Sequence, residues 1–123
     1  MRRLRITLLH LAPRVGDLEY NRWPGAYRRR GAQLLVSSAA WGPWPHGPNG
    51  AWEQRTRETG LPLFVCNRTG EEQTLSFMDA ESVVIKDGQR LVSFQASRAA
   101  IVLVDWALAT QELIGEEARI VYV

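Results

Sequence analysis

Short, mostly apolar runs bounded by turn residues dominate the hydrophobic pattern of this chain. Runs of four to eight apolar residues between Gly, Pro, Asn or Asp are typical of buried strands. The pattern predicts such strands over residues 4–11, 34–36, 61–65 and 100–104, with a shorter strand at residues 75–78. Two more strand patterns, at residues 82–85 and 90–94, flank Asp87 and Gly88, and an Asp-Gly pair in this position indicates a hairpin.

Helices are predicted in three places between and after these strands. Residues 26–30 have room for one or two turns, which Gly31 would end. Asn49 can cap a helix that runs from about Gly50 to Thr59 and ends at Gly60. Residues 108–118 have the apolar spacing of a third helix, although Gly115 weakens it, and an apolar tail follows at residues 120–123.

The order of these elements predicts an α+β fold. Strands alternate with short helices in the first part of the chain and become a β-meander later, which favours a mixed sheet covered by helices. A length of 123 residues corresponds to one compact domain.

Composition and charge exclude several classes of protein. The chain is 46% hydrophobic and 23% charged, as in globular proteins, and no apolar run approaches the roughly 18 residues of a membrane span. The basic excess is local, because residues 1–30 carry a net charge of +6 and the remainder −4, which sum to the total of +2. Since no nucleic-acid-binding module accompanies it, we predict neither a nucleic-acid partner nor a membrane partner. The single cysteine fits a reducing compartment, so we predict a cytoplasmic protein.

The residue types available for chemistry leave two interpretations open at each position. Cys66 could be a nucleophile if His46 came close, but cysteine at the end of an apolar run is usually packed. Two histidines and one cysteine show no metal-ligand spacing, and no phosphate-binding glycine loop is present, so we predict no metal and no cofactor. Trp41, Trp44 and Trp52 could form an aromatic wall for a small ligand or could simply pack.

An ordered set of segments resembles the carbon–nitrogen hydrolase (nitrilase) superfamily. The opening strand with Pro13, Val15-Gly16-Asp17 and Asn21 is similar to the family's first strand and turn. The later matches follow in the family's order, at residues 31–41, 45–48, 60–70, 82–94 and the strand that ends at Asp105. The resemblance implies a nitrilase-like layered α-β sandwich, here an incomplete one, formed by a single truncated domain over residues 1–123.

The departures from this family decide the functional prediction. Family members resemble one another in a Glu general base, a Lys that stabilises the oxyanion and a Cys nucleophile. The only lysine here, Lys86, lies in the predicted hairpin turn, and Cys66 matches a scaffold position before an Asn-Arg pair. Gly25 stands where an acid would follow the nucleophile. We therefore predict no catalytic residue, with Cys66 packed and the catalytic segments falling in a gap after Asn21.

The leading prediction is a nitrilase-like protein that is catalytically inactive on its own, as a pseudoenzyme or a fragment. Six residues would remain from the substrate pocket: Ser38, Trp41, Trp44, His46, Asn67 and Arg68. One alternative is an amidase-type carbon–nitrogen hydrolase that is active only with a complementing nitrilase-like chain. The other is a homo-oligomeric assembly module that pairs through the apolar tail at residues 120–123.

Overall fold

The computed structural model describes residues 28–41 and 50–123, and these ranges contain one nine-residue helix and a series of short strands. The helix is α1 (Ala51–Thr59), and the strands are β1 (Leu35–Ala39), β2 (Leu63–Asn67), β3 (Glu71–Glu72), β4 (Leu75–Ser76), β5 (Ser82–Lys86), β6 (Gln89–Phe94), β7 (Ala100–Leu103), β8 (Trp106–Ala107), β9 (Glu112–Leu113) and β10 (Arg119–Tyr122). Residues 28 and 29 are also helical and precede a turn in which Gly31 N–H donates to the Arg28 carbonyl over 3.0 Å. The predicted strand at residues 4–11 lies outside the described residues.

A mixed four-stranded sheet, in the order β1-β2-β5-β6, positions everything else. β1 and β2 are parallel, with Leu35 opposite Leu63 and Ala39 opposite Asn67, and α1 lies in the connection between them. A parallel pair requires such a crossover, which explains the helix between two strands. The remaining pairs, β2 with β5 and β5 with β6, are antiparallel. The predicted mixture of α and β elements is confirmed.

One face of this sheet forms the hydrophobic core with α1. Because side chains alternate along a strand, Leu63 and Val65 of β2 share this face with Val83 and Ile85 of β5. Ile85 is fully buried, at 0% exposure, and Trp52 of α1 packs against the cluster. The helix is thus held by an apolar contact on the side of the sheet that faces away from β7.

The hairpin predicted at Asp87 and Gly88 is confirmed, and it also anchors α1. Both turn residues have positive φ, 50° at Asp87 and 74° at Gly88, as a two-residue type I′ turn requires. Gly88 N–H donates to the buried Thr56 Oγ1 of α1 over 2.8 Å. A Cβ atom at Gly88 would come within 2.2 Å of the Arg57 Nε atom. The turn is therefore shaped to receive the helix.

The two ends of α1 follow different rules. At its C-terminus the helix ends at Gly60, as predicted, which adopts φ 66° and donates its N–H to the Thr56 carbonyl over 2.9 Å. At the start the cap is Gly50, with φ 75° and no side-chain hydrogen bond. Asn49, which we predicted as the cap, lies outside the described residues.

The predicted helix at residues 108–118 is wrong. Two short antiparallel strands replace it, with Trp106 opposite Leu113 and Ala107 opposite Glu112. The backbone of Gln111 has a φ of 57° and that of Gly115 a φ of 87°, neither of which fits an α-helix. The Trp106 ring packs edge-on against Phe64 at 5.1 Å, and this tertiary contact is made from the extended strand β8.

β2 begins and ends two residues later than the predicted strand at 61–65. Cys66 therefore lies inside β2, on the face opposite Leu63 and Val65, and it is exposed. Our prediction that Cys66 packs is wrong, because the strand continues past residue 65 and its alternation turns the thiol away from the core.

The ribbon formed by β7 and β10 lies apart from the four-stranded sheet in the hydrogen-bond pattern. The strand predicted at residues 100–104 is present as β7, but it is not buried, since Ile101 is 51% exposed. The predicted apolar tail pairs with it as β10, with Val121 opposite Ile101 and Tyr122 opposite Ala100. Tyr122 lies 6.4 Å from the Phe94 ring, so one face of the ribbon turns towards β6 and the other towards solvent. No helix in the described ranges combines the length and apolarity needed to cross a membrane.

Candidate functional site

The predicted pocket residues that the structure describes gather at one end of the sheet. Ser38, Trp41, Asn67 and Arg68 lie at or just beyond the carboxyl ends of the parallel strands β1 and β2. Polar residues at such ends are held by a rigid scaffold, which is why binding groups are often found there. Trp44 and His46, the other two predicted pocket residues, lie outside the described residues.

Asn67 fixes the chain as it leaves β1. Its Oδ1 accepts a hydrogen bond from Trp41 N–H at 3.0 Å, and its Nδ2 donates to the Trp41 carbonyl at 3.1 Å. The amide thus imitates a peptide group and continues the ladder beyond Ala39. Its own N–H donates to Ser82 Oγ over 2.9 Å, which ties the same residue to β5.

Trp41 and Trp52 form part of the predicted aromatic wall. Their rings meet at 6.4 Å with an interplanar angle of 63°, an edge-to-face arrangement. The indole Nε1 of Trp41 is buried and has no hydrogen-bond partner in the described part of the chain. Trp52 also packs against the core cluster. The same ring therefore contributes both to the core and to the aromatic surface with Trp41.

Arg68 has partners within the chain. Its guanidinium forms an ion pair with Glu72 and lies 4.6 Å from the centre of the Phe77 ring. Its side chain remains 40% exposed, so the ion pair is screened by solvent. Ser38 is exposed and lies opposite Cys66 in the register of β1 and β2.

A groove of about 550 Å³ lies along the sheet face opposite the core. Its lining is mainly apolar and comes from β2, β5, β6 and β7, with Val36 of β1 at one side. Asn67 and Arg68 are among the lining residues, together with two residues that we did not predict for the site, Cys66 and Arg98. The alternation of β2 could have located Cys66, but Arg98 lies in a loop without a sequence signal.

The only cysteine and the only lysine of the sequence lie at opposite ends of the β2–β5 pair. Leu63 is opposite Ile85 and Val65 is opposite Val83, so Cys66 lies beside Ser82 and four residues from the level of Lys86. At about 3.3 Å per residue, this separates them by about 13 Å along the strands. The backbones of the two residues therefore lie at different levels of the sheet.

A partly buried cluster of charged side chains links α1 to the sheet. Arg90 of β6 forms an ion pair with Glu81 at 2.7 Å and lies 3.6 Å from a Glu53 oxygen of α1. Burial lowers the pKa of the Arg90 guanidinium from its ordinary value. The cluster joins α1, which carries Trp52, to the sheet. Within the described ranges, no group of three His, Cys, Asp or Glu side chains is arranged to hold a metal ion.

The comparisons with known proteins point to one family. No protein-family model matches the chain, and no curated protein sequence matches it. Two variants of the nitrilase-superfamily amidase from Nesterenkonia AN1 are similar to it, each with TM-score 0.52 and 31% identity over 65% of this chain and 31% of the amidase. One of them shows covalent addition of the acetamide moiety of fluoroacetamide at the active-site cysteine. A carbon–nitrogen hydrolase from Helicobacter pylori G27 aligns with TM-score 0.41 and 23% identity, covering 65% of this chain and 35% of that one.

The amidase match confirms the predicted relationship and also limits it. The aligned part of this chain spans less than a third of the amidase's length. The aligned residues of the two proteins are 31% identical, and their folds correspond with a TM-score of 0.52. Over that part, the chain is similar in sequence and fold to an amidase of the nitrilase superfamily, which supports the predicted relationship with carbon–nitrogen hydrolases.

Proposed function

We propose that this chain is a nitrilase-type scaffold that does not hydrolyse carbon–nitrogen bonds on its own. The observation that carries the proposal is the separation of Cys66 from Lys86 across the β2–β5 pair. Amide hydrolysis through a thioester needs a cation within hydrogen-bond distance of the oxygen that becomes negative, about 3 Å. The backbone positions of Cys66 and Lys86 are about 13 Å apart along the strands, so Lys86 does not lie beside the thiol as an oxyanion-binding cation would.

The surroundings of Cys66 support the same proposal. A nucleophilic thiol needs a base that takes its proton. The residues that line the groove around Cys66 include no aspartate, glutamate or histidine in the described part of the chain. Cys66 is exposed and therefore accessible to reagents.

In this proposal, the pocket residues keep a shaping role. Asn67 and Arg68 fix the loops that follow β2, and Trp41 with Trp52 supplies an aromatic surface. Trp44 and His46 belong to the same proposed pocket. The catalytic base, cation and nucleophile of the family have no counterpart in this set.

Reaction of the purified chain with fluoroacetamide tests the proposal. Fluoride is a poor leaving group, so an unactivated thiol reacts with fluoroacetamide far more slowly than with iodoacetamide. We expect intact-protein mass spectrometry to show one iodoacetamide adduct at Cys66 and no fluoroacetamide adduct over the same period. We also expect no ammonia release from acetamide.

The Cys66→Ser variant serves as the control for both measurements. It should lose the iodoacetamide adduct and leave the ammonia signal at the level of the buffer. Ammonia release by the wild-type chain that disappears in Cys66→Ser would overturn the proposal, because it would show a catalytic thiol.

A second candidate function is self-assembly, and the outward face of the β7–β10 ribbon favours it. Ile101 and Val121 are opposite each other on this face and are 51% and 49% exposed. Leu103 and Val123 extend the patch, at 39% and 77% exposure. The occupant that we propose for this face is a second copy of the chain, because one patch can meet its own copy across a two-fold axis.

A further inference from the structure

We propose that the groove along the sheet binds a small amphipathic carboxylate, of the kind formed by a medium-length alkyl chain and one carboxyl group. The proposal concerns binding alone and requires no hydrolysis, so it stands or fails independently of the function proposed above. It rests on the distribution of charge and apolar surface along the groove.

The body of the groove is apolar. Phe64 and Val84 on the sheet and Val102 on the ribbon contribute to the lining, and Phe94 closes one side of it. A volume of about 550 Å³ falls within the range of roughly 300 to 1,000 Å³ that is usual for small-molecule sites. Such a surface favours an alkyl chain because its burial removes apolar area from water.

The charge in the groove lies at one end and has one sign. Arg68 follows the carboxyl end of β2, and Arg98 follows the carboxyl end of β6. These ends are neighbours, because β5 starts at Ser82 beside both, opposite Phe94 in β6. Thr69 Oγ1 donates to the Ala96 carbonyl over 2.6 Å and joins the two loops. No acidic side chain is among the described residues that line the groove.

Arg98 is the better placed of the two cations for a ligand. Its guanidinium stacks over the Tyr122 ring at 4.8 Å, which limits its motion and leaves its N–H groups for an anion. Arg68 already pairs with Glu72, whereas no carboxylate in the described part of the chain lies within ion-pair distance of Arg98. A planar guanidinium matches a carboxylate in a two-bond arrangement.

The two features together fix the orientation of the ligand. The carboxylate lies at Arg98, and the alkyl chain runs back along Phe64 and Val84, away from the charged end. Cys66 lies on the wall between them, so an occupied groove covers its thiol.

Protection of Cys66 from alkylation measures this binding on the full chain. We expect decanoate to slow the reaction of Cys66 with iodoacetamide in a saturable manner, and decanol at equal concentration to protect far less. Each methylene contributes about fourfold to affinity when buried, so octanoate, with two fewer, should bind about 15-fold more weakly than decanoate.

Matched arginine variants identify the anchor. Arg98→Gln should weaken the protection by decanoate at least about tenfold, because a charge-assisted bond is lost. Arg119→Gln removes the same charge from a side chain that is 70% exposed on the ribbon and does not line the groove, so it should bind decanoate as the wild type does. Circular dichroism of both variants should match the wild type, because both arginines are exposed.

Three results would overturn the proposal. Equal protection by decanol and decanoate would show that the charged end plays no part, and unchanged binding by Arg98→Gln would show that Arg98 is not the anchor. Protection of Cys66 that rises with protein concentration in the absence of any ligand would show that a second copy occupies the groove instead.

Discussion

Asn67, the last residue of β2, joins the ends of three strands through its side-chain amide and its backbone N–H. Its amide replaces a peptide group opposite Trp41, and its backbone N–H reaches Ser82 at the start of β5. A single polar residue thus sets the direction in which the chain leaves the parallel pair, and with it the position of Trp41 against Trp52.

We expect Asn67→Ala to lower the free energy of unfolding by about 1–3 kcal/mol, because it leaves the Trp41 N–H and carbonyl without partners in a partly buried place. Urea denaturation followed by tryptophan fluorescence measures the loss. Gln95→Ala, which removes an exposed side-chain bond to Asp79, is the matched control and should change stability by less than about 0.5 kcal/mol. Equal effects of the two variants would contradict a clamping role for Asn67.

Only some of the individual residues of the candidate site could be predicted from the sequence. The Asn67-Arg68 pair stands out after an apolar run, and the structure places both residues on the groove. The prediction that Cys66 packs was wrong because the strand was predicted to end at residue 65, whereas β2 continues to Asn67 and its alternation places Cys66 on the face opposite Val65. Arg98 could not be found, because its relevance depends on the Tyr122 ring, 24 positions later in the sequence.

Among the elements, the β5–β6 hairpin has two roles at its turn. It reverses the chain through positive φ at Asp87 and Gly88, and it offers the Gly88 N–H to Thr56 of the helix. The lack of a Cβ at Gly88 serves both roles, since Arg57 of α1 lies against this position.

We expect Gly88→Ala to destabilise the protein by about 1–3 kcal/mol, through the positive φ and the contact with Arg57. Gly115→Ala provides the control, because Gly115 also has positive φ, 87°, and has no atom within 4 Å of an added Cβ. Thermal or urea unfolding should show a larger loss at Gly88. If both variants lose the same amount, the turn does not dock the helix in the way described.

Elements with local signals were predictable, and elements fixed by distant contacts were not. The Asp-Gly hairpin and the Gly60 end of α1 follow from backbone conformations that few residues adopt. The segment at residues 108–118 has helical spacing, but Glu112 and Leu113 within it pair with a strand that lies before it, and Trp106 of that strand packs on the distant Phe64. The prediction that β7 is buried was also wrong, because an apolar run indicates a strand but does not show whether another element covers it.

For the molecule as a whole, the main question is what covers its apolar surfaces. The core lies on one side of the sheet, while the ribbon of β7 and β10 has apolar side chains on both faces. Large exposed apolar patches are uncommon on monomeric proteins and usually mark an interface. The groove takes up one face of the ribbon and also touches Ile101, and the apolar side chains on the other face, such as Val121, are left for association.

We expect the chain to self-associate at micromolar concentration, and Val121→Glu to weaken this association at least about tenfold, because a carboxylate would be buried in the contact. Multi-angle light scattering over a dilution series measures it. Leu75→Gln changes an apolar residue of 61% exposure on β4, away from the ribbon, and should leave association unchanged. A wild-type chain that remains monomeric throughout the series would refute the assembly proposal.

The exposure of Cys66 also affects how such a series must be handled. An exposed thiol oxidises in air, and two chains can then become linked through an intermolecular disulfide. Such a disulfide-linked dimer would survive dilution. It would place the two grooves next to each other, even if the ribbon faces made no contact. A fresh reductant and a non-reducing gel beside each scattering trace separate the oxidised species from the association that the fold itself encodes.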